Sequence, residues 1–429
     1  MKGDVGHCYR PLGLLSLGVD VRLFGADPRA VHLENLLWAA AGAGLFALLA
    51  RSAGAPVVVV WGALLLTSCH PIRSEAILSG VGREELMEFT FVAAALLAAR
   101  AYLAGGAPRW AAASGLLVAL GLLCKETAFA APGVLAALVL VTRPGPSDAG
   151  WRARVLRLAL AWALAFALVF AARRFVIGAF LSGSAPILPE ENLLAPLPRL
   201  ERLRGALSLL PLTLGLLAWP ARLVADYSSN ALTAAELTSY APVGALLLAS
   251  LVALSLALLW KRRLGGFALA AALAFYVPFA NLLFLSTSAV AERILYPCAG
   301  GVALAIACAL AWVAARGRAF AALAFAVGLG LAAAGAWRIA TRVPEWRDDE
   351  SLFRAAVRDR PGNARAWINL AVLDLSRHDA VSAERDAAGA LGADRRVTGY
   401  VRSMAEHARR IGRPEEEAAL RRALAASGR

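Results

Sequence analysis

Apolar runs of membrane-spanning length make up most of this chain, and short polar segments separate them. Windows such as Val155 to Ala172 and Ala319 to Trp337 are apolar at nearly every position. A helix on the surface of a soluble domain would instead carry its apolar residues on one face, with a period of 3.6 residues. Because about 20 apolar residues cross the roughly 30 Å of bilayer hydrocarbon, the pattern predicts an all-α, polytopic helical membrane protein.

Ten of these runs are predicted to span the membrane, and an eleventh apolar segment brings the total to about 10 or 11 membrane segments. The predicted spans are Val31 to Ala50, Pro56 to Cys69, Glu85 to Ala104, Trp110 to Cys124, Thr127 to Thr142, Val155 to Phe175, Tyr240 to Trp260, Phe267 to Ser286, Ile294 to Val313 and Ala319 to Trp337. The eleventh segment, Gly205 to Val224, contains Pro211 and Pro220.

The basic loops decide how this eleventh segment is placed. These loops lie at Arg51, at Arg100 and Arg109, at Arg143 to Arg157, at Lys261 to Arg263, and at Arg316 and Arg318. If Gly205 to Val224 does not cross, all of them fall on one side, which the positive-inside rule makes cytoplasmic. If it does cross, the last two move outside. We therefore expect this segment to be re-entrant or interfacial, with both chain ends on the non-cytoplasmic side.

The composition changes after Trp337, where acidic residues become frequent and no run is long enough to span. Ala371 and Ala405 lie 34 residues apart in this region, which is the period of tetratricopeptide helix pairs. We therefore predict three parts: an external loop remnant (1–30), a transmembrane domain (31–342) and a soluble tetratricopeptide-type helical appendage (343–429). Two repeats are too few for a free-standing solenoid, so we expect the appendage to dock on the membrane domain or on further subunits.

The formal net charge of +14 on 429 residues raises the question of nucleic-acid binding. The arginines cluster in short loops beside apolar runs, as membrane anchors do, so we expect no nucleic-acid partner. A composition of 59% hydrophobic residues and a mean hydropathy of +0.63 agree with a membrane protein. The five cysteines lack CxxC spacing and predict neither a disulfide framework nor a metal site; they are Cys8, Cys69, Cys124, Cys298 and Cys308.

Five polar clusters interrupt the apolar pattern, and the predicted topology places all five on the non-cytoplasmic face. They are Tyr9 to Leu12, His70 to Arg83, Lys125 to Thr127, Asp226 to Ser228 and Ala291 to Arg293. A charge near the middle of a membrane costs roughly 2.5–3.5 kcal/mol, so these residues should face protein or water. The clusters therefore predict one shared polar site.

Cationic side chains suit a lipid-linked phosphate, and carboxylates suit a general base that acts on a hydroxyl. The predicted substrate-binding residues are Arg10, His70, Arg83, Lys125, Glu292 and Arg293, and the predicted catalytic residues are Glu75, Glu126 and Asp226. Structural alternatives remain open. Lys125 with Glu126, and Glu292 with Arg293, would then be salt bridges at helix ends. Glu84 and Glu85 would be acidic residues of a helix N-terminus.

These residues resemble the transmembrane and tetratricopeptide-repeat protein O-mannosyltransferases and their bacterial relatives, which belong to the GT-C glycosyltransferase superfamily. The similar stretches are Tyr9-Arg-Pro-Leu12, His32 to Leu36, His70 to Ile77 with Ser79 to Arg83, Lys125-Glu-Thr-Ala128, Leu223 to Ser228, Ala291 to Tyr296, and Trp346 to Phe353. Each stretch is short, but their order holds across almost the whole chain.

The resemblance implies a GT-C-like transferase that moves a sugar, typically mannose, from a polyprenyl-phosphate donor to a protein hydroxyl on the non-cytoplasmic face. The lipid-linked sugar is then a co-substrate, no other cofactor is implied, and the need for a divalent metal stays open. The acceptor protein would bind through the repeats. We expect an integral protein of a bacterial inner membrane, with the repeats on the non-cytoplasmic side.

One departure from the family concerns the start of the chain. The family begins with a further span and an external loop that carries an acidic pair, whereas this chain starts a few residues before Tyr9. We therefore expect an N-terminally truncated copy, for which three explanations stay open: the start codon is misplaced, the missing helix is supplied otherwise, or the copy is inactive. The alternative to a transferase is an inactive membrane scaffold whose repeats bind partner proteins. A transporter is the third reading, and it should show internal repeats of the span pattern, which the sequence lacks.

Overall fold

The computed structural model describes residues 9–25, 27–144, 150–178, 187–189 and 191–427. Every regular element in these ranges is a helix, which confirms the all-α prediction. The first ten helices are α1 (Pro11–Phe24), α2 (Pro28–Ser52), α3 (Val57–Ser68), α4 (Arg73–Leu78), α5 (Arg83–Gly105), α6 (Pro108–Cys124), α7 (Ala131–Thr142), α8 (Trp151–Ile177), α9 (Arg199–Ser208) and α10 (Leu210–Ala218).

The remaining helices are α11 (Ala234–Thr238), α12 (Ala241–Trp260), α13 (Leu264–Tyr276), α14 (Tyr296–Ala314), α15 (Arg318–Arg342), α16 (Asp349–Asp359), α17 (Ala364–Ser376), α18 (Ala380–Ala393), α19 (Thr398–Arg410) and α20 (Pro414–Ser427). Short 3-10 turns lie at Gly80–Gly82, Glu126–Ala130, Ser229–Ala231, Val277–Phe279, Arg293–Leu295, Val343–Trp346 and Arg395–Val397. Four of the cysteines are free thiols, and Cys8 lies outside the described residues.

Six helical segments are long and apolar enough to cross a membrane, counted over the described ranges and judged by length and composition. They are Pro28–Ser52, Gly80–Gly105, Trp151–Ile177, Ala241–Trp260, Arg293–Ala314 and Arg318–Trp346. Four shorter apolar segments, Val57–Ser68, Pro108–Cys124, Glu126–Thr142 and Leu264–Phe279, coincide with the other four predicted spans. The chain is therefore a polytopic helical membrane protein.

Two predicted segments differ from the regular spans. The helical part of Phe267 to Ser286 ends at Phe279, because Pro278 closes the helix and Asn281 adopts a φ of 54° in the left-handed region. The segment Gly205 to Val224 contains the end of α9 and all of α10, which is nine residues long. At 1.5 Å per residue, α10 measures roughly 14 Å and is too short to span. The placement of Gly205 to Val224 in the membrane stays a prediction.

The chain divides into two compact units, and the first is formed by the described residues of Met1–Pro186, Leu246–Pro278 and Arg293–Ile339. Its core contains an aromatic group in which Phe89 packs against Phe46, Phe275 and Tyr296, with ring centroids 5.4–5.8 Å apart. At Gly301, an added Cβ would lie 2.7 Å from the backbone nitrogen of Ala272, so this glycine allows α13 and α14 to pack closely.

The second unit is formed by the described residues of Ile187–Ala245, Phe279–Glu292 and Ala340–Arg429. The predicted division at residues 30 and 342 follows a different criterion and stays a prediction. In this unit α17 packs on α18, and α19 packs on α20. Helix α19 begins 34 residues after α17, and α20 begins 34 residues after α18. A buried core joins both pairs; it includes Ala371, Ala387, Val401, Ala405 and Leu420.

Candidate functional site

The first turns of α5 carry three carboxylates, Glu84, Glu85 and Glu88, which are between 1% and 8% exposed. Acidic residues are favoured in the first turn of a helix because they face its partial positive charge. Glycine is required just before this helix, since a Cβ at Gly82 would lie 2.2 Å from the carbonyl oxygen of Ala76. The tight 3-10 turn therefore fixes where α5 begins and where its carboxylates point.

Arg10 connects two of the carboxylates in this region. Its Nη1 donates to Glu84 Oε2 at 2.5 Å, while its Nε and Nη2 donate to the two carboxylate oxygens of Glu126 at 2.9 and 2.8 Å. Gly13 allows α1 to approach, because a Cβ there would lie 2.8 Å from Glu84 Cγ. A charge-assisted pair with two parallel hydrogen bonds is strong and geometrically specific.

Lys125 lies at the end of α6 and donates to Glu85 Oε1, and both side chains are almost fully buried. Two residues further on, Thr127 Oγ1 donates to Glu88 Oε2 at 2.6 Å. The second carboxylate oxygens, Glu85 Oε2 and Glu88 Oε1, have no hydrogen-bond partner among the described residues. A deep layer of carboxylates is thus held by one ammonium and one hydroxyl.

Arg293 binds a further carboxylate, that of Glu75. Its backbone N–H donates to Glu75 Oε2 at 2.9 Å, and its Nη1 donates to Glu75 Oε1. Its Nε lies 3.5 Å from Glu85 Oε1, which joins this pair to the deep layer. Arg173 adds a fourth cation, with its Nη1 3.8 Å from Glu126 Oε2.

We call this group the polar cluster; its members are Arg10, Glu75, Glu84, Glu85, Glu88, Lys125, Glu126, Thr127, Arg173 and Arg293. The side chains of Arg10 and Glu126 are 20% exposed and that of Arg293 is 30% exposed, whereas those of Glu85, Glu75 and Lys125 are 1–6% exposed. The cluster therefore has an accessible rim above a buried layer.

Arg83 lies in a separate group, and its own side chain is fully buried. Its guanidinium donates to Asn35 Oδ1 at 2.8 Å, to Glu34 Oε2 at 2.7 Å, to Ser16 Oγ at 3.0 Å and to the Val31 carbonyl at 3.1 Å. It also pairs with Asp20 at 2.5 Å. This single side chain therefore ties α1 and α2 to the start of α5.

In the second unit, Glu292 is fully buried in a network with α15 and the segment that follows α10. Arg342 Nη2 donates to Glu292 Oε2 at 2.6 Å, and the Tyr227 hydroxyl and the Val224 N–H donate to Oε1 at 3.0 and 2.5 Å. Burial raises the pKa of Tyr227 well above its usual value, and the Glu292 carboxylate raises it further. The phenol is therefore a hydrogen-bond donor here and not a base.

The other two predicted residues lie in local turns. Asp226 accepts from the Ser228 N–H at 2.9 Å and from the Ser228 hydroxyl at 2.7 Å, which is the arrangement of an Asx turn. His70 Nδ1 accepts from the Ile72 N–H at 3.3 Å.

Of the nine predicted site residues, five belong to the polar cluster: Arg10, Glu75, Lys125, Glu126 and Arg293. Sequence reasoning missed Glu88, Arg173 and Arg342. Glu88 and Arg173 lie within the predicted spans Glu85 to Ala104 and Val155 to Phe175, where an ionisable residue by itself indicates a polar interior or a site, whereas Arg342 lies beyond the last predicted span. Over the residues that the structure describes, no group of three or more His, Cys, Asp or Glu side chains could hold a metal ion.

The fold and the polar cluster define an integral membrane protein with charged side chains buried where three apolar helices begin or end. A comparison with known proteins gives a partial match. The chain is 35% identical over 130 residues to a protein named Protein O-mannosyl-transferase Tmtc2 from Drosophila melanogaster. The match covers 29% of this chain and 14% of that protein. No protein-family profile matches the chain, and no solved structure matches it significantly.

Proposed function

We propose that this protein is a membrane glycosyltransferase of the GT-C type. It would move a sugar, for which we propose mannose, from a polyprenyl-phosphate donor to a serine or threonine hydroxyl of a protein on the non-cytoplasmic face. The name of the partial relative supports the activity class, and the polar cluster supports the chemistry. The proposed location is a bacterial inner membrane, with the helix pairs of the second unit as tetratricopeptide repeats on the outer side.

The observation that carries this proposal is the accessible rim of the polar cluster. Arg10 and Arg293 are partly exposed, and both pair with carboxylates. A donor phosphate can replace those carboxylates as the partner of the guanidinium groups, because phosphate and carboxylate accept the same bidentate hydrogen bonds. Lys125 lies in the layer beneath and would add positive charge without leaving Glu85.

The reaction then needs one base and one leaving group. The acceptor hydroxyl oxygen forms a bond to the anomeric carbon of the sugar, and the bond from that carbon to the phosphate oxygen breaks. The electron pair leaves on the polyprenyl phosphate, where Arg10 and Arg293 stabilise the charge. The hydroxyl proton passes to a carboxylate, for which we propose Glu126, since it is the rim carboxylate that Arg10 releases when Arg10 turns to the phosphate.

The remaining predicted residues have supporting parts in this proposal. Glu75 orients Arg293 through two hydrogen bonds, and Arg83 fixes the first two helices. Glu292 and Asp226 shape loops of the second unit through internal hydrogen bonds. The 34-residue spacing of the helix pairs supports a repeat surface that would present the acceptor protein.

The test uses the full chain in proteoliposomes with a radiolabelled polyprenyl-phosphate mannose and an acceptor protein. We expect Arg293→Ala and Glu126→Gln to lower transfer by about 10²–10³-fold, as the loss of one charge-stabilising or proton-accepting group does. The matched control is Arg263→Gln, an exposed arginine of the opposite predicted face, which should leave transfer unchanged. Donor binding should survive in Glu126→Gln and weaken in Arg293→Ala. Undiminished transfer by either site variant would reject its assigned role.

An inactive scaffold is the second candidate, and the complete internal pairing of the rim favours it. Arg10, Glu126, Arg293 and Glu75 satisfy one another without a substrate, as a purely structural salt-bridge network does. A scaffold would neither hydrolyse nor transfer from any lipid-linked sugar, yet it would retain partners through the second unit. Release of polyprenyl phosphate by the purified wild-type chain would exclude the scaffold.

A further inference from the structure

A groove of about 420 Å³ lies between α2, α5 and α6, at the opposite end of α5 from the polar cluster. Alanines of α5, including Ala94, Ala98 and Ala101, form much of its wall, and Leu45 and Leu117 close its sides. Small side chains at this helical spacing leave a concave surface. The volume lies within the roughly 300–1,000 Å³ of ordinary ligand sites, and its apolar walls would accept a hydrocarbon chain.

One end of this groove is cationic. Arg100 lines it, and its Nε donates to the Ser52 carbonyl at 3.2 Å. Among the described residues, the two terminal amino groups of Arg100 have no hydrogen-bond partner. They form the planar fork that binds phosphate in a bidentate manner. Trp110 also lines this end, and tryptophan is typical of the membrane interface.

The charge around this end is uncompensated. Helix α6 starts beside the groove without a side-chain cap and without an acidic residue in its first turn. Arg109 lies in that first turn, where a positive charge opposes the helix dipole unless an anion is near. In the described part of the chain, none of Arg51, Arg100 and Arg109 pairs with a carboxylate. An anionic partner would offset part of this positive charge.

We propose that this groove binds an anionic phospholipid, with one acyl chain along the alanine face of α5 and the phosphate on Arg100. Basic pockets between membrane helices are a recognised kind of site for acidic lipid head groups. The donor phosphate of the proposed transferase is a different ligand, because Glu84 and Arg100 are separated by 16 residues, or roughly 24 Å along α5. The lipid site does not depend on the proposed activity.

The test is native mass spectrometry of the purified full chain, titrated with phosphatidylglycerol or with phosphatidylcholine. We expect the first lipid molecule to bind with clearly higher affinity when it is phosphatidylglycerol than when it is phosphatidylcholine. Arg100→Gln should weaken that preference about tenfold, the effect of losing one charge-assisted contact, and Arg100→Lys should weaken it less. Ala101→Phe, which fills the groove, should weaken binding of both lipids.

Arg263→Gln is the matched control, since Arg263 is an exposed arginine of the same predicted face and does not line the groove. Equal binding of the two lipids to wild type would overturn the proposal, and so would equal losses in Arg100→Gln and Arg263→Gln. Polyprenyl phosphate provides a further arm. If it displaces phosphatidylglycerol one for one, the groove belongs to the sugar donor and the phospholipid assignment is wrong. If both lipids bind together, the two sites are separate.

Discussion

The pair of Glu292 and Arg342 offers a direct test of whether a predicted substrate contact is instead a buried structural ion pair. Both side chains are at most 1% exposed, and their charged atoms lie 2.6 Å apart. The perturbations are Arg342→Met, Glu292→Gln and the two together. Methionine retains much of the volume of arginine and removes its charge, and glutamine retains the shape of glutamate.

The magnitude follows from the cost of an unpaired buried charge. Removing one partner of such a pair costs about 3–5 kcal/mol, because the other charge stays out of water without compensation. In Arg342→Met, Glu292 loses the guanidinium partner and retains the Tyr227 hydroxyl and the Val224 N–H as donors. The double variant leaves no buried charge at this place, so it should recover at least about 2 kcal/mol relative to the sum of the single variants.

The assay is equilibrium unfolding of the full chain in mixed micelles, followed by tryptophan fluorescence. Trp346 reports locally, because its ring centroid lies 5.9 Å from the guanidinium carbon of Arg342. The control is Arg347→Met, whose side chain is 77% exposed and pairs only at the surface with Asp348; it should cost less than about 1 kcal/mol.

An Arg342→Met variant that unfolds within about 1 kcal/mol of wild type would refute this reasoning. Additive single variants would also refute it, since two groups that neutralise each other cannot act independently. Either result would return Glu292 to the set of substrate contacts.

Three further predictions concern other parts of the molecule. Arg83→Lys should destabilise the first unit by about 2–4 kcal/mol in the same unfolding assay, because lysine cannot donate to both Asn35 and Glu34 as the forked guanidinium does. A loss of stability no larger than that of an exposed Arg→Lys change would show that these contacts contribute little. Burial and the neighbouring Asp386 raise the pKa of Asp374 from 3.8 to about 6. The folded state therefore binds this proton more tightly than the unfolded state does. The free energy of unfolding should fall by about 1–3 kcal/mol as the pH rises from about 4 to about 6. Asp374→Asn should remove that pH dependence, and Glu384→Gln, at a partly exposed carboxylate that pairs with Arg422, should keep it. An unchanged pH profile in Asp374→Asn would show that another group causes the dependence. Gly389→Leu should lower the thermal midpoint of the second unit by several degrees, because its Cβ would lie 2.9 Å from the Trp367 ring; an unchanged midpoint would mean that α17 and α18 separate at no cost.

The helices could be predicted from the sequence because a membrane span needs a long apolar run, and such runs are visible without any tertiary information. All ten predicted spans coincide with apolar helices over the described residues. The predicted end of the span Phe267 to Ser286 was wrong, because its helical part already ends at Phe279. This end depends on Asn281, whose side-chain oxygen accepts from the side-chain amide of Asn192, 89 residues earlier in the chain. No local pattern contains that contact.

The existence of a polar cluster could be predicted from the sequence, but the ion pairs within it could not. Charges at the ends of spans require partners, and this requirement already indicated that Arg10, Lys125 and Arg293 face protein or water. Which carboxylate each one meets depends on helix packing, as the 116 residues between Arg10 and Glu126 show. Glu84 and Glu85 were equally compatible with helix capping, since their positions at the start of α5 satisfy both readings.

The pairing of Lys125 with Glu85 has a consequence for biogenesis. The two residues lie on successive helices, at the same end of the hairpin formed by α5 and α6. Each helix inserted alone would expose its member of this pair to lipid without a counter-charge, whereas the hairpin inserted together neutralises both members. The translocation machinery should therefore deliver α5 and α6 to the bilayer as a single entity, and a ribosome stalled between them would leave α5 prone to slip back out.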